Sequence, residues 1–273
     1  MTGELVALAT TLAGAGVMAG VLAGLLGVGG GIVLVPVLEL TFAAVGVPAD
    51  VRMHLAVGTS LASIVPTAIA SARSHRAHGA IDAALARRWS PAIAGGAALG
   101  AVIAAGVRGG VLSAVFGIVA LAAGLRMLLG RGATDAARDR EPAARKWLPL
   151  PVAIGTVSAM MGIGGGTLSV PAMTALGVPV HRAVGTSAWF GMWIAIPAAA
   201  GFAWLGRNAA GLPALSAGYV NLVALAVLLP ATVLAAPFGV RLAHRLSKRW
   251  LAATFGVFLL ATSARMLYRA WSG

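Results

Sequence analysis

The chain has 273 residues, of which 59% are hydrophobic and 10% are charged, and its mean hydropathy is +0.93. Soluble domains carry about 25% charged residues, so this composition excludes a soluble globular protein. The net charge of +13 comes from cations that flank apolar segments without interleaved aromatic residues. This pattern is typical of membrane proteins and excludes nucleic acid as an expected partner. The absence of cysteine excludes disulfides and thiolate metal sites.

Four long stretches of the chain contain no Asp, Glu, Lys or Arg. They cover 5–38, 147–180, 183–206 and 208–240. Because a helix needs about 20 apolar residues to cross a bilayer, each stretch can span the membrane at least once. The alternation of a membrane barrel is absent. The sequence therefore predicts an all-α polytopic membrane protein.

Each half of the chain contains five apolar segments. They lie at about 5–26, 31–46, 53–72, 89–107 and 110–130 in the first half, and at about 147–162, 166–178, 183–206, 216–238 and 250–270 in the second. The polar stretch 131–147 joins the halves and is expected to be a cytoplasmic linker. The predicted units are thus a transmembrane repeat at 1–130 and a second one at 148–273.

The two halves are copies of one unit. Each contains, in the same order, a Gly-x-Gly-Gly-Gly motif with a Pro five residues after its last glycine, a Gly-Val-Pro turn, a His before a Val-Gly-Thr-Ser block, and a final helix with a Phe-Gly pair. The matched blocks begin at Gly27 and Gly162, Gly46 and Gly177, His54 and His181, and Phe116 and Phe255. Four matched blocks in one order indicate a duplication.

Basic residues alternate between equivalent loops. The loop at 73–88 carries four arginines, whereas its counterpart at 207–215 carries one; the turn at 108–110 carries one, whereas its counterpart at 241–249 carries four basic residues. Because basic loops face the cytoplasm, equivalent loops are expected on opposite sides, as in an inverted repeat. Two arginines near the C-terminus oppose this orientation, so parallel four-helix halves stay open as the alternative.

The glycine triplets predict broken or re-entrant helices. Each glycine costs a helix about 1 kcal/mol relative to alanine, and irregular backbone within a membrane persists only where protein or a water-filled cavity satisfies its polar groups. A helix starting after each triplet would present free N–H groups to an anion. The candidate ligands are Gly29, Gly30, Gly31, Gly164, Gly165 and Gly166. The alternative is that the glycines only permit close helix packing.

Polar side chains in the matched blocks supply further candidates. The Val-Gly-Thr-Ser blocks contain Thr59, Ser60, Thr186 and Ser187. Their hydroxyls can line a substrate site or bond back to their own helix.

Proton coupling has four candidate residues. They are Glu39, the only acidic residue deep in an apolar run, together with His54, His181 and Arg182. Ionisable groups inside membranes are functional candidates, and histidine titrates near neutral pH. The alternatives are an interfacial position for Glu39, helix-start positions for the histidines and a lipid anchor for Arg182.

The duplicated Gly-x-Gly-Gly-Gly-x-x-x-x-Pro motif, followed by Gly-x-Pro and His…Val-Gly-Thr-Ser, resembles the sulfite exporter TauE/SafE family over nearly the whole chain. The resemblance implies a secondary transporter for sulfite or a related small organosulfur or organic anion in the bacterial inner membrane. It also implies an ion or proton gradient as the driving force and no ATPase module, and no cofactor is expected. The triplet glycines and the Thr-Ser pairs are the positions carried over.

Two other functions stay open. A passive anion channel would use the same helix ends, and only transport against a gradient separates it from a transporter. An intramembrane enzyme would use Ser60 or Ser187 with a histidine, but no known nucleophile motif surrounds either serine, so no enzyme is expected. A metal transporter is not expected either, since paired carboxylates and cysteines are lacking. Homo-oligomerisation is left open.

Overall fold

The computed structural model describes residues 10, 12–14, 16–18, 20–21, 31–129, 149–245 and 248–272. Those between 10 and 21 are helical. The elements that follow are α1 (Gly31–Ala44), α2 (Ala49–Ala77), α3 (Ala83–Gly106), α4 (Gly109–Leu129), α5 (Pro149–Met161), α6 (Gly166–Ala175), α7 (Val180–Leu205), β1 (Ser216–Ala217), β2 (Val220–Asn221), α8 (Leu222–Arg245) and α9 (Lys248–Ser272). In the duplication, α1–α4 correspond to α6–α9, and the helix at 10–21 corresponds to α5.

The helices fit a membrane. By length and composition, α2, α3, α4 and α7 can cross a bilayer, while α1, α5 and the Leu222–Ala235 part of α8 are apolar but shorter. This confirms the predicted helical, polytopic class. The predicted linker at 131–147, with Gly29 and Gly30 of the first triplet, lies outside the described residues.

Some helices extend beyond the predicted apolar segments, because polar residues continue the helix or form its first turn. The helix α2 continues beyond 72 to Ala77. The helix α3 starts before the predicted position, 89, because Asp82 Oδ1 accepts the Leu85 N–H at 3.0 Å and caps it. The prediction of one segment at 216–238 is wrong at its beginning, where residues 216–221 form an antiparallel hairpin. Gly218 in its turn has φ 56°, which a helix does not allow.

The equivalent helices α2 and α7 pack together and run antiparallel. Gly58, near the start of α2, lies against Phe202, near the end of α7, while Ala68, farther along α2, lies against Gly191, earlier in α7. The glycines let the two backbones approach closely.

The equivalent helices α4 and α9 form a second antiparallel pair. Gly117 of α4 lies against Leu267 of α9, and Gly124 lies against Leu259. The Ser263 hydroxyl also donates a hydrogen bond to the Gly117 carbonyl at 2.7 Å. Both pairs therefore join the first half to the second.

The first helix of each half packs on the fourth helix of the other half. Gly100 of α3 lies against Ala159 of α5, and Gly20 of the helix at 10–21 lies against Ala235 of α8. Small residues occupy both contacts, as expected for helices packed in a membrane. The two halves are thus interlocked rather than separate domains.

The antiparallel pairs gather the helix ends at two faces. The face that we call basic holds the end of α2, the starts of α3, α7 and α9, and the end of α8; there the Asp82 N–H bonds to Thr186 Oγ1 at 2.9 Å. The opposite face holds the start of α2, the end of α3, the start of α4, and the ends of α7 and α9. Gly211 lies against Pro48 at this face.

Candidate functional site

The second glycine triplet lies in a break between two short helices. α5 ends at Met161 and α6 begins at Gly166. Gly162 has φ +69°, and a Cβ there would lie 2.7 Å from Val35 Cγ2. The Ser60 hydroxyl donates to the Gly162 carbonyl at 2.7 Å. Glycine is therefore required at 162 by both conformation and space.

The backbone after the break has free donors. The first backbone bond of α6 runs from Ser169 N–H to Gly165 O at 3.0 Å. Within the described part of the chain, the N–H groups of residues 164–168 donate no hydrogen bond. Such groups, at the positive end of a helix dipole, favour an anion.

A cavity of about 220 Å³ opens beside these donors. Its lining comes from the second half of α2, the triplet and the first turns of α7: Ile64, Thr67, Ala68, Ser71, His75, Gly164, Gly165, Gly166, Val184, Ser187, Ala188 and Gly191. The predicted Gly164, Gly165, Gly166 and Ser187 are thus brought together at one cavity.

The glycines at this cavity have different spatial constraints. A Cβ on Gly165 would lie 2.5 Å from the Ser187 carbonyl oxygen, so Gly165 is needed for packing against α7. A Cβ on Gly164 would meet only Ile64 Cγ2, at 3.5 Å. A Cβ on Gly191 would lie 3.5 Å from the Gly165 backbone nitrogen. Close packing therefore explains Gly165 but does not explain Gly164 or Gly191.

The first triplet is described only at Gly31. A Cβ on Gly31 would lie 2.9 Å from the Gly162 carbonyl oxygen and 2.9 Å from Ile163 Cα. The end of the first motif therefore lies against the start of the second.

The matched threonines both form hydrogen bonds within the fold. Thr59 Oγ1 accepts the Asn221 N–H at 3.0 Å, and Thr186 Oγ1 accepts the Asp82 N–H at 2.9 Å. Both threonines are fully buried, and neither lines the cavity. Each threonine thus forms a structural hydrogen bond to the other half of the chain, and contact with substrate stays a prediction.

The matched serines differ from one another. Ser60 is buried, donates its hydroxyl hydrogen to the Gly162 carbonyl, and does not line the cavity. Ser187 lines the cavity, and its hydroxyl donates to the Val184 carbonyl of its own helix at 2.8 Å. The Ser187 hydroxyl can therefore donate a hydrogen bond to an anion only if its bond to the Val184 carbonyl breaks.

The proton-coupling candidates near the matched blocks lie apart from the cavity. His54 is buried, its Nε2 lies 2.9 Å from Ala104 O and 3.1 Å from Val107 O, and its ring stacks on Tyr219. Because carbonyls only accept, Nε2 carries the hydrogen. His181 and Arg182 are exposed at the start of α7.

Glu39 lies among three arginines at the opposite face. Its side chain is fully buried; Oε2 lies 3.1 Å from Arg265 Nη2, Oε1 lies 3.8 Å from Arg52 Nη1, and Arg269 is a third partner. Three positively charged side chains therefore surround one buried carboxylate.

Sequence reasoning missed His75, Ser71 and Thr67 of the cavity. They lie on one stripe of α2 at helical spacing. Continuing the 3.6-residue period past the apolar segment 53–72 would have found the histidine.

The long apolar helices and interlocked halves define an integral membrane protein. Residues 12–266 match the family described as Sulfite exporter TauE/SafE, and the chain therefore belongs to that family, which confirms the resemblance. A probable membrane transporter protein of Haemophilus influenzae is 29% identical over 259 residues, covering 93% of this chain and 96% of the relative. The probable membrane transporter protein YunE of Bacillus subtilis is 23% identical, covering 93% and 95%. No solved structure matches the chain.

Proposed function

We propose that the protein is a secondary transporter that moves sulfite or a related small organosulfur or organic anion across the bacterial inner membrane by alternating access. The observation that carries the proposal is the cavity beside Gly164–Gly166, where free N–H groups start a helix. The relatives' names support a transporter.

The chemistry of the cavity suits a small anion. The described residues of its lining include no carboxylate, while successive N–H groups and the helix dipole attract negative charge. The Ser71 hydroxyl forms no hydrogen bond within the described residues, so it is free to donate. At about 220 Å³ the cavity is smaller than typical sites for drug-sized ligands, which favours an anion of a few heavy atoms.

Antiparallel packing of equivalent helices supports an inverted repeat. If α2 and α7 both cross the bilayer, they cross in opposite directions, as do α4 and α9. The short helices α1 and α6 would then enter from opposite faces and meet near the middle, where Gly31 lies against Gly162. Paired broken helices at a repeat interface are the usual place for a transporter's substrate.

The charge distribution supports a cytoplasmic basic face. Two arginines near the C-terminus, Arg265 and Arg269, opposed this orientation because they would lie outside. Both are partners of the buried Glu39, so they are explained by an ion pair rather than by orientation. The arginines of the 73–88 loop gather at the basic face, in agreement with the positive-inside rule.

Coupling to protons is assigned to His75. Among the described residues that line the cavity, it is the only titratable side chain. Along α2 its charged neighbours are Arg73 and Arg76; the first turn of α7 carries His181 and Arg182, and the triplet segment has none. A protonated imidazole would balance the charge of a bound anion, so substrate binding should strengthen when this side chain takes up a proton.

Flux of radiolabelled sulfite into proteoliposomes tests the proposal. Gly191→Ala places a methyl 3.5 Å from the Gly165 nitrogen without a clash, so transport should fall at least about tenfold, as expected for losing an anion contact of roughly 1.4 kcal/mol. Gly95→Ala is the matched control, because its Cβ would meet nothing within 4 Å. His75→Gln should remove the protein's contribution to the pH dependence.

Three outcomes contradict the proposal. Wild-type transport by Gly191→Ala would exclude the cavity as the anion site. Uptake that never exceeds the external concentration under any imposed gradient would indicate a channel. An unchanged pH profile in His75→Gln would remove His75 from coupling while leaving the anion site intact.

A further inference from the structure

A second cavity, of about 450 Å³, lies at the basic face between the α2–α3 connection, the first turns of α3, and α7. Arg76 and Arg87 line it together with Trp189 and Trp193. We infer that this groove binds an anionic phospholipid, with the phosphate between the two arginines and an acyl chain along the two tryptophans. The inference does not depend on the transported substrate.

The arginines are available for a phosphate. Both are exposed, and neither forms an ion pair within the described part of the chain. Asp82, the nearby acid, does not line the groove, and its carboxylate caps α3 through the Leu85 N–H. Two guanidinium groups without a carboxylate attract an anionic group and form charge-assisted hydrogen bonds to its oxygens.

The tryptophans form a fixed apolar wall. Trp189 Nε1 donates to Ser90 Oγ at 3.0 Å, and Ser90 Oγ donates to the Ala86 carbonyl at 2.6 Å. These bonds fix the Trp189 ring against α3. Trp193 follows one turn later on α7 and is 37% exposed. The groove therefore has a rigid side, which lowers the entropic cost of ordering a ligand.

The order of these groups along the helices matches a lipid. The arginines lie at the end of α2 and near the start of α3, at the basic face. Trp193 lies further from that face, because α7 runs away from it. A charged mouth above an aromatic, apolar wall fits a phosphate headgroup above an acyl chain. A free inorganic anion would leave the apolar wall uncovered.

The equivalent place in the second half lacks this arrangement. Arg207 there stacks on the Trp204 ring at 4.0 Å, and the first two turns of α8, residues 222–229, contain no charged residue. Among the residues that the structure describes, the second half therefore does not repeat the pair of arginines beside an apolar wall. On the proposed orientation the basic face contacts the cytoplasmic leaflet, where basic pockets between helices bind anionic lipid.

Lipid titration followed by native mass spectrometry tests the inference. Full-length protein, stripped of lipid in detergent, is titrated with phosphatidylglycerol, with phosphatidylcholine and with inorganic phosphate. The variant Arg76→Gln/Arg87→Gln is compared with Arg73→Gln/Arg88→Gln, which removes the same charge from the same exposed stretch outside the groove. The first should weaken binding of phosphatidylglycerol by about 25-fold, since each basic residue contributes roughly fivefold. The second should change it less than about twofold.

Each alternative result overturns the inference. Equal binding of phosphatidylcholine would show that charge is not recognised. Equal losses in both double variants would indicate diffuse surface charge rather than a groove. Displacement of the lipid by millimolar phosphate would identify a site for soluble oxyanions. Transport is not measured, so a failure here is independent of the proposed function.

Discussion

Thr59 and Thr186 show how a repeated residue can bind the two halves together. Thr59, in the first half, accepts the N–H of Asn221, whose side chain accepts the Ala224 N–H at the start of α8. Thr186, in the second half, accepts the N–H of Asp82, which caps α3. Each threonine therefore holds the helix cap of the other half.

Thr59→Val should destabilise the protein without changing its affinity for sulfite. Valine keeps the shape but leaves the buried Asn221 N–H without an acceptor, which costs about 1–3 kcal/mol. Thermal unfolding in detergent measures the loss, and sulfite titration measures the affinity. Thr59→Ser keeps the hydroxyl and serves as the control. Normal stability with lost sulfite binding would instead make Thr59 a ligand.

The threonine bonds mark a limit of sequence analysis at the residue scale. The repeat identified Thr59 and Thr186, but it could not identify their partners, because Asp82 and Asn221 differ and each lies in the opposite half. His75 was missed for another reason: it has no matched residue to draw attention to it, and it follows the apolar part of α2.

At the scale of elements, the short helices α1 and α6 are equivalent but are held differently. α1 is tied through Glu39 to Arg265 of α9 and to Arg52 of α2. The matched residue in α6, Thr174, bonds only to carbonyls of its own helix, such as Val170 O at 3.0 Å. We therefore expect α6 to be the more easily displaced of the two.

Glu39→Gln tests how strongly α1 is held. The change leaves three arginines without their counter-charge, and removing one partner of a buried pair costs about 3 kcal/mol. Chemical unfolding in detergent should show a loss of that order. Thr174→Val, at the matched position in α6, should cost less than about 1 kcal/mol. Equal stability of Glu39→Gln and wild type would show that the cluster does not hold α1.

The apolar segments of the sequence located the helices better than they located the helix ends. The apolar segments predicted every helix described from 31 onward, and the triplet at Gly164–Gly166 coincides with the interruption between α5 and α6. The hairpin at 216–221 was missed because its strands are two residues long and apolar enough to continue α8. Helix ends depend on caps such as Asp82, which hydropathy does not record.

For the whole molecule, the duplication could be recognised from the sequence because both halves contain the Gly-x-Gly-Gly-Gly motif. The antiparallel packing of equivalent helices depends on contacts between the halves, which the sequence does not show. Only the alternation of basic residues between equivalent loops indicated that equivalent helices run in opposite directions. Arg265 and Arg269, the two charges that opposed the inverted arrangement, are both ion-pair partners of Glu39.

Cysteine labelling tests the inverted arrangement directly, because the chain contains no cysteine of its own. Ala77→Cys places an exposed thiol at the last residue of α2, and Ala210→Cys places one shortly after the end of the equivalent helix α7. An impermeant maleimide added to intact cells should label position 210 and not position 77, while both should react after permeabilisation. Labelling of both or neither in intact cells would support parallel halves.

Isotope-edited NMR can directly observe the backbone N–H groups of the second triplet, which are the proposed ligands of the anion. The protein is labelled with glycine that carries ¹³C at the carbonyl and ¹⁵N at the amide. An HNCO spectrum then contains only the amides of glycines that directly follow another glycine. These belong to Gly30, Gly31, Gly96, Gly110, Gly165 and Gly166. Gly164→Ala assigns the Gly165 signal by removing it, and Gly96 and Gly110 are internal controls outside the cavity.

Titration with sulfite should shift the Gly165 and Gly166 amides saturably, because anion contact at a helix start deshields the N–H groups that it binds. Gly96 and Gly110 should stay in place. If Gly165 and Gly166 do not move at sulfite concentrations that saturate transport, or move no more than Gly96 and Gly110, the anion does not bind at the triplet.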